Sequence, residues 1–199
     1  MVADDAQTIQ AVVAGDVERY AQLVDKYQVS ALRMAFGLLG NYEDAKDMAQ
    51  EAFISAYQGL GRFRQDAKFS TWLYRIVVNQ CKDFHRHRSR RPNVVASIGQ
   101  SQGPELANEE GLFMDVADSV AHPAEQLANR ELARQISLAI EALALNQRTA
   151  FVLHRLHGLS LDEVADVMGC RVGTVKSHLF RATAHLRSRL APWWKQESV

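Results

Sequence analysis

Thr174, Lys176, Ser177, Phe180 and Arg181 sit close together near the C-terminus, and their chemistry is that of recognition. Arg and Lys can pair with guanine O6/N7 or with phosphate, Ser and Thr can serve either edge, and Phe can pack on a thymine methyl. The segment that carries them, Ser160 to Arg181, has the pattern of two helices joined by a tight turn. Leu161, Val164, Ala165 and Met168 make one apolar face, Gly169 supplies the turn, and Val172, Val175, Leu179 and Ala182 make the inward stripe of the second helix. At helical spacing the opposite side carries Gly173, Ser177, Phe180, Arg181 and Ala184, flanked by Thr174 and Lys176. An exposed aromatic among bases and hydroxyls suits a helix laid in the major groove. Arg171, a cation in the first turn, opposes the helix dipole, and a phosphate contact would offset that cost.

A second set of polar residues forms a row. Phe69, Trp72, Leu73, Ile76, Val77, Cys81 and Phe84 repeat at helical spacing and face a core, which leaves Arg75, Asn79, Lys82 and Arg86 in one stripe on the other side. One amide within a basic row reads as a base contact among phosphate contacts. The stripe runs into the basic segment His87, Arg88, Ser89, Arg90 and Arg91. The loop before it, Arg62, Phe63, Arg64, Gln65, Asp66, Ala67 and Lys68, mixes aromatic, basic and amide groups that can cradle an unstacked base on a single strand. The preceding helix is expected to bury Ala45, Met48, Ala49, Ala52, Phe53, Ala56 and Tyr57 and to expose Asp47, Gln50, Glu51, Ile54 and Gln58. An acidic face with an exposed isoleucine is poor for DNA and good for a basic protein partner.

These surfaces sit in a chain of 199 residues with a formal net charge of zero, and the zero is a sum of segregated blocks. Residues 1–60 hold nine acids against four bases, whereas Lys82, Arg86, Arg88, Arg90 and Arg91 face Asp83 alone. From Arg171 to Lys195 there are bases and no acid. Such asymmetry points to separate surfaces for separate partners. Two distant cysteines, Cys81 and Cys170, suit a reducing cytosol and argue against a disulfide or a zinc site. His154, His157 and His178 lack companions at metal spacing and read as structural, so no metal and no cofactor are expected. Neither a membrane-spanning run nor a signal-peptide layout occurs, so a soluble cytoplasmic protein is expected.

Helical periodicity dominates and strand alternation is missing, so the expected fold is all-α. Asp16 is placed to cap a helix running to about Leu38; Gly40 and Asn41 end it, and Asn41 caps the next with Asp44 three residues on, as in a capping box. Gly59 and Gly61 end that helix, and a long one starts near Phe69. Between Pro92 and Pro123 the pattern fails in an acidic stretch without Lys or Arg. Helix returns from about Ala124 to Ala144 and from Gln147 to His157. The expected architecture is therefore two small helical domains, 1–91 and 124–199, joined by a flexible acidic linker, 92–123. Fully extended, a tether of about 32 residues reaches on the order of 100 Å.

In this order and spacing the segments closely resemble the extracytoplasmic-function (ECF) sigma factors, RpoE-like initiation factors of bacterial RNA polymerase. Asp44–Phe53, DAKDMAQEAF, resembles the polymerase-binding region 2.2. Phe69–Asn79, FSTWLYRIVVN, with the basic run to Arg91, resembles regions 2.3 and 2.4, which melt and read the −10 element. Residues 124–190 resemble region 4, with Val172–Ser177 and Phe180–Arg181 in the −35 reading helix. The resemblance implies that Asp44, Asp47, Gln50, Glu51 and Ile54 meet the clamp helices of the polymerase β′ subunit. Phe63, Arg64, Gln65, Asp66, Ala67, Lys68 and Asn79 would handle the flipped −10 base, and Arg75, Lys82 and Arg86 would hold phosphates. Arg171, Thr174, Lys176, Ser177, Phe180 and Arg181 would serve the −35 element, with the β flap as a further contact. Arg171 departs from the small residue or proline usual in the family. The short tether leaves no room for a region 3 domain, and no region 1.1 is expected before residue 1. Family members usually answer stress or envelope signals under an anti-sigma factor, often one anchored in the membrane.

Two other classes compete. Thr174–His178 also resembles the reading helix of LuxR-type activators, but that class carries a receiver or ligand-sensing domain in front, and the N-terminal half shows no α/β alternation. An enzyme would need a P-loop, GxSxG, HExxH or a placed carboxylate pair, and none is found; His85, His87 and Asp83 sit in a basic run instead.

Overall fold

A computed structural model describes residues 5–64, 67–90 and 123–194, which form helices and turns and, among the described residues, no strand. The N-terminal half holds α1 (Asp5–Val13), α2 (Tyr20–Leu39), α3 (Tyr42–Gly59) and α4 (Phe69–Arg90). The C-terminal half holds α5 (Pro123–Glu141), α6 (Leu145–Phe151), α7 (Leu161–Met168) and α8 (Val172–Trp194). A π-helical turn, Val152–Leu156, continues α6. The expected linker falls outside the described residues except for Pro123, which opens α5.

Local chemistry accounts for several helix ends. Gly40 closes α2 at φ 72°, a left-handed conformation that costs glycine little. The Asn41 side chain accepts a hydrogen bond from the Asp44 amide and starts α3. No return bond from the Asp44 carboxylate makes this a full capping box; that carboxylate lies 3.0 Å from Arg88 instead. A complete box does form at α7, where Ser160 and Glu163 satisfy each other's backbone amides, and Gly169 closes that helix at φ 64°. The expected Asp16 cap does not form. A 3₁₀ turn, Val17–Arg19, precedes α2, and the Asp16 carboxylate pairs with Arg19 at 2.8 Å.

In the N-terminal half α2, α3 and α4 pack side by side around Leu23, Met34, Leu38, Ala45, Ala52, Phe53, Leu73 and Val77, all buried. Tyr57 departs from expectation. It is 41% exposed, held at the rim by an edge-on contact with Tyr20 at 5.1 Å between ring centroids. Tyr74 and Val78, absent from the expected core face of α4, are buried as well. Helix α4 is covered by α7 as well as by α2 and α3, so it buries a wider arc than an amphipathic surface helix.

Helix α7 belongs to the other half. The apolar core is continuous from Ala31, Met34, Ala35 and Leu38 of α2 to Ala150 of α6 and Val152 and Leu153 of the π-helical turn, and on to Val164 and Val167 of α7. A smaller cluster, Ala139, Ile140, Leu143, Ala182 and Leu186, holds α5 to α8. The two halves are docked along α2 and α4.

Candidate nucleic-acid interface

Helix α8 is positioned by the apolar stripe the sequence predicts. Val175 and Ala182 are fully buried and Val172 and Leu179 half-buried against α6 and α7. Rotation about the helix then carries Gly173, Thr174, Lys176, Ser177, Phe180, Arg181 and Ala184 to solvent. Phe180 is 77% exposed, the most exposed large apolar side chain among the described residues. It lines one shallow concavity with Lys176, Ser177 and Arg181. The benzyl group is thus left open to solvent beside two cations and a hydroxyl, available to a partner. Ser177 Oγ donates back to Gly173 O at 3.0 Å, which holds the hydroxyl near the helix surface. Arg171 is also exposed, before the first turn.

The acidic face of α3 is equally open. Asp47, Gln50, Glu51 and Gln58 are exposed and Ile54 is 44% exposed, while Asp44 is half-buried beside Arg88. Ala45, Ala49, Ala52, Phe53 and Ala56 on the reverse bind the helix to the core, and the small size of the four alanines lets α3 lie close.

The basic row of α4 is placed differently from the other two surfaces. Asn79 and Arg86 are exposed, Arg86 paired with Asp83 at 2.6 Å, and Lys82 is half-buried. The Arg75 guanidinium donates to the carbonyl of Asp166 in α7. Lys68 Nζ donates to Glu163 Oε1 at 2.8 Å. Together Lys68 and the Ser160 cap hold the Glu163 carboxyl down at about 2. Burial pulls the Lys82 ammonium below its ordinary value, and the neighbouring Arg86 adds to the lowering. Phe63 is half-buried in a cluster with Trp72 at 5.1 Å and Phe69 at 6.0 Å, Arg64 and Ala67 are exposed, and Gln65 and Asp66 lie outside the described residues. Thus α3 and α8 present the faces the sequence predicts. Lys68 and Arg75 are engaged by the other half of the chain.

Sequence reasoning missed the residues that hold the halves together. Gly37, within α2, faces Val152 so closely that a Cβ there would lie 3.1 Å from its nearer γ-methyl. An isolated glycine inside a helical pattern was the available signal. Arg148 gave none, since a polar residue near an apolar run is normally solvated, and His157 was legible only as a structural histidine with no partner named.

His157 packs on Tyr74 with ring centroids 6.0 Å apart, and burial, aided by Arg33, lowers its imidazole to about 4. The unfolded chain therefore takes up this proton first. Stability is complete above about pH 6.5 and falls as pH drops toward 4, by about 3 kcal/mol in all. The Glu141 carboxyl, raised by burial, opposes part of that loss at the acid end. The melting temperature of the chain is expected to fall between pH 7 and pH 4.5, and His157→Phe should flatten the slope. Equal acid sensitivity in the two proteins would remove His157 as its source.

Comparison with known proteins follows the same division of the chain. The sigma-70 region 2 family model matches residues 23–91 and the sigma-70 region 4 model matches residues 133–186. The chain is 36% identical to the RNA polymerase sigma-H factor of Pseudomonas aeruginosa, over 94% of each chain. It is 37% identical to the ECF RNA polymerase sigma factor SigW of Bacillus subtilis, over 92% of this chain and 94% of that one. Among solved structures, the sigma factor RpoE of Bartonella quintana, in complex with its anti-sigma factor NepR, matches with a TM-score of 0.59 at 25% identity, covering 88% of this chain and 97% of that one.

Proposed function

Because the chain belongs to the ECF sigma factors of the sigma-70 family, we propose a division of labour among its exposed faces. The protein binds bacterial core RNA polymerase and directs promoter-specific initiation. It is not an enzyme. In our reading, Asp47, Gln50, Glu51 and Ile54 of α3, with Asp44 at their edge, dock on the β′ clamp helices. Residues 1–91 form the −10 domain, in which Asn79 and the Phe63–Lys68 loop take the flipped base while Arg75, Lys82 and Arg86 hold phosphates. Residues 124–199 form the −35 domain, which meets the β flap, and residues 92–123 join the two. In α8, Lys176, Ser177, Phe180 and Arg181 read the −35 element with Thr174 beside them, and Arg171, just before the helix, contacts phosphate.

The observation that carries this reading is the segregation of two open faces on one chain. Phe180 stands in water among bases on α8, and Ile54 stands in water among acids and amides on α3. One surface suits a polyanion with apolar methyl groups, and the other suits a basic protein. No helix among the described residues is long and apolar enough to cross a membrane. The site of action we infer is the cytoplasm, where RNA polymerase works. Control by an anti-sigma factor, in a stress or envelope response, follows the family and the complex formed by the Bartonella relative.

The test is reconstitution. Purified protein mixed with sigma-free core polymerase should co-elute with it and drive initiation from a genomic promoter library at one shared −35/−10 pair. Sequence-specific DNA binding by the protein alone, without polymerase binding, would make it a regulator of another class.

A further inference from the structure

A cavity in the N-terminal half has no role in the division of faces described above. It lies between α1 and the 3₁₀ turn Leu60–Arg62, lined by Ile9, Gln10 and Val13 on one side and by Leu60, Gly61 and Phe63 on the other. We propose that this cavity holds one unstacked nucleobase of the single strand, distinct from the base on Asn79, and that Gln10 reads its edge. The proposal rests on the polymerase-and-promoter reading and adds α1 to the surface that chooses the promoter.

Size, lining and charge select the ligand. At about 290 Å³ the cavity stands at the small end of ligand sites, which run from about 300 to 1,000 Å³. That suits one planar ring rather than a helix of another protein. Ile9 and Leu60, each 2% exposed, make an apolar floor. Phe63 supplies an aromatic wall, and every base has a π-face to stack on it. Gln10 is exposed, and its amide makes no hydrogen bond among the described residues. Both its donor and its acceptor are therefore open to the edge of a base taken out of the stack. Arg62 and Arg64 flank Phe63 in the chain, both exposed and neither in an ion pair among the described residues. Cations on either side of an aromatic wall suit the phosphates that precede and follow an inserted base.

Both walls are set before any strand arrives. Asp5 staples α1 to α2, its carboxylate accepting from Lys26 Nζ at 2.6 Å and from Tyr27 Oη at 2.5 Å. Burial and this carboxylate push the Tyr27 phenol above its ordinary range, so it remains a donor to Asp5 at working pH. The Tyr27 ring lies 5.5 Å from Phe69, and Phe69 and Trp72 hold Phe63 at 6.0 and 5.1 Å. One chain of contacts thus runs from the first turn of α1 to the aromatic wall, and a site fixed in this way loses little in ordering when a base enters. Asn79, on α4, is not part of the lining, so the base assigned to it and this one occupy different places.

The test reads base preference position by position. Holoenzyme formed with core polymerase is given single-stranded oligonucleotides carrying the non-template −10 sequence of the promoter found by reconstitution, each position changed in turn to the other three bases. The unmodified protein should discriminate at more than one position. Gln10→Leu keeps the bulk of the side chain and should flatten the preference at one position by roughly tenfold, the scale of one base-edge contact. Asn79→Ala should flatten a different one. Binding to core polymerase should not change with Gln10→Leu, because Gln10 is exposed on α1 and lies outside the α3 face. A photocrosslinking side chain in place of Val13, which is 56% exposed, should join the strand at or next to the nucleotide whose preference Gln10→Leu removes. That ties the effect to contact rather than to folding. Unchanged preferences in Gln10→Leu, flattening at the same position as Asn79→Ala, or no crosslink from position 13 overturns the pocket. A chain that never initiates with core polymerase brings down the sigma assignment and the pocket with it; normal initiation with unchanged preferences overturns the pocket alone.

Discussion

Phe180→Ala should lower discrimination at the −35 element by roughly tenfold to a hundredfold and leave binding to core polymerase unchanged. The side chain is 77% exposed and lines a concavity with Lys176, Ser177 and Arg181, so truncation removes no packing from the domain. Its loss falls on the DNA, where one base contact is worth about 1–3 kcal/mol. The complementary variant, Asp47→Ala with Gln50→Ala, should weaken polymerase binding by roughly thirtyfold or more, the scale of an interface hot spot of about 2 kcal/mol. It should leave the preference among −35 sequences intact. Both variants are read in one experiment, with core binding by fluorescence anisotropy and promoter choice by initiation on paired templates. If both lose polymerase binding equally, the assignment of separate faces to α3 and α8 is wrong.

The largest expected effect on stability belongs to Arg148→Met. This guanidinium is only 7% exposed and donates to Leu38 O at 2.8 Å, to Leu143 O at 3.4 Å and to Glu141 O. It thereby satisfies carbonyls at the C-terminal ends of α2 and α5, which have no acceptor role left inside their own helices. Burial pulls its pKa below the ordinary value and Glu141 pushes it back, but a guanidinium stays charged at working pH. Met keeps most of the volume and leaves the carbonyls without a donor, at a cost of about 2–4 kcal/mol. In a chain of this size the melting temperature should fall by roughly 5–15 °C. Arg148→Lys should fall between the two, because one ammonium cannot span both helix ends as a planar fork does. A loss below about 0.5 kcal/mol for Arg148→Met, measured by urea denaturation, would mean that water replaces the guanidinium and that it does not tie the halves together.

The first prediction rests on residues legible in the sequence, the second on contacts that were not. The positions of Phe180, Asp47, Gln50, Glu51 and Ile54 on open faces follow from the 3.6-residue period alone, because each lies opposite a run of apolar residues that must be buried. The same holds for Gly40, Asn41 and Gly169 at helix ends, where local backbone chemistry decides the outcome. Tyr57 escaped this logic because a tyrosine at a rim can satisfy period and solvent together, resting one ring edge on Tyr20. Asp16 escaped it because Arg19, one turn on, competed for the carboxylate.

The sequence by itself thus determined the helices, their apolar sides, and the residue types presented to polymerase and to the −35 element. All of these are consequences of interactions between residues a few positions apart. Only the tertiary structure decided that α4 is covered on a second side, that Lys68 and Arg75 are held by α7, and that Gly37 and Arg148 join the halves. Those contacts pair residues about a hundred positions apart in the chain, as Arg148 does with Leu38 and Lys68 with Glu163. Periodicity along one helix carries no record of which other helix will meet it. That choice is made by shape, by the close approach a glycine permits, and by where a buried guanidinium finds carbonyls to satisfy.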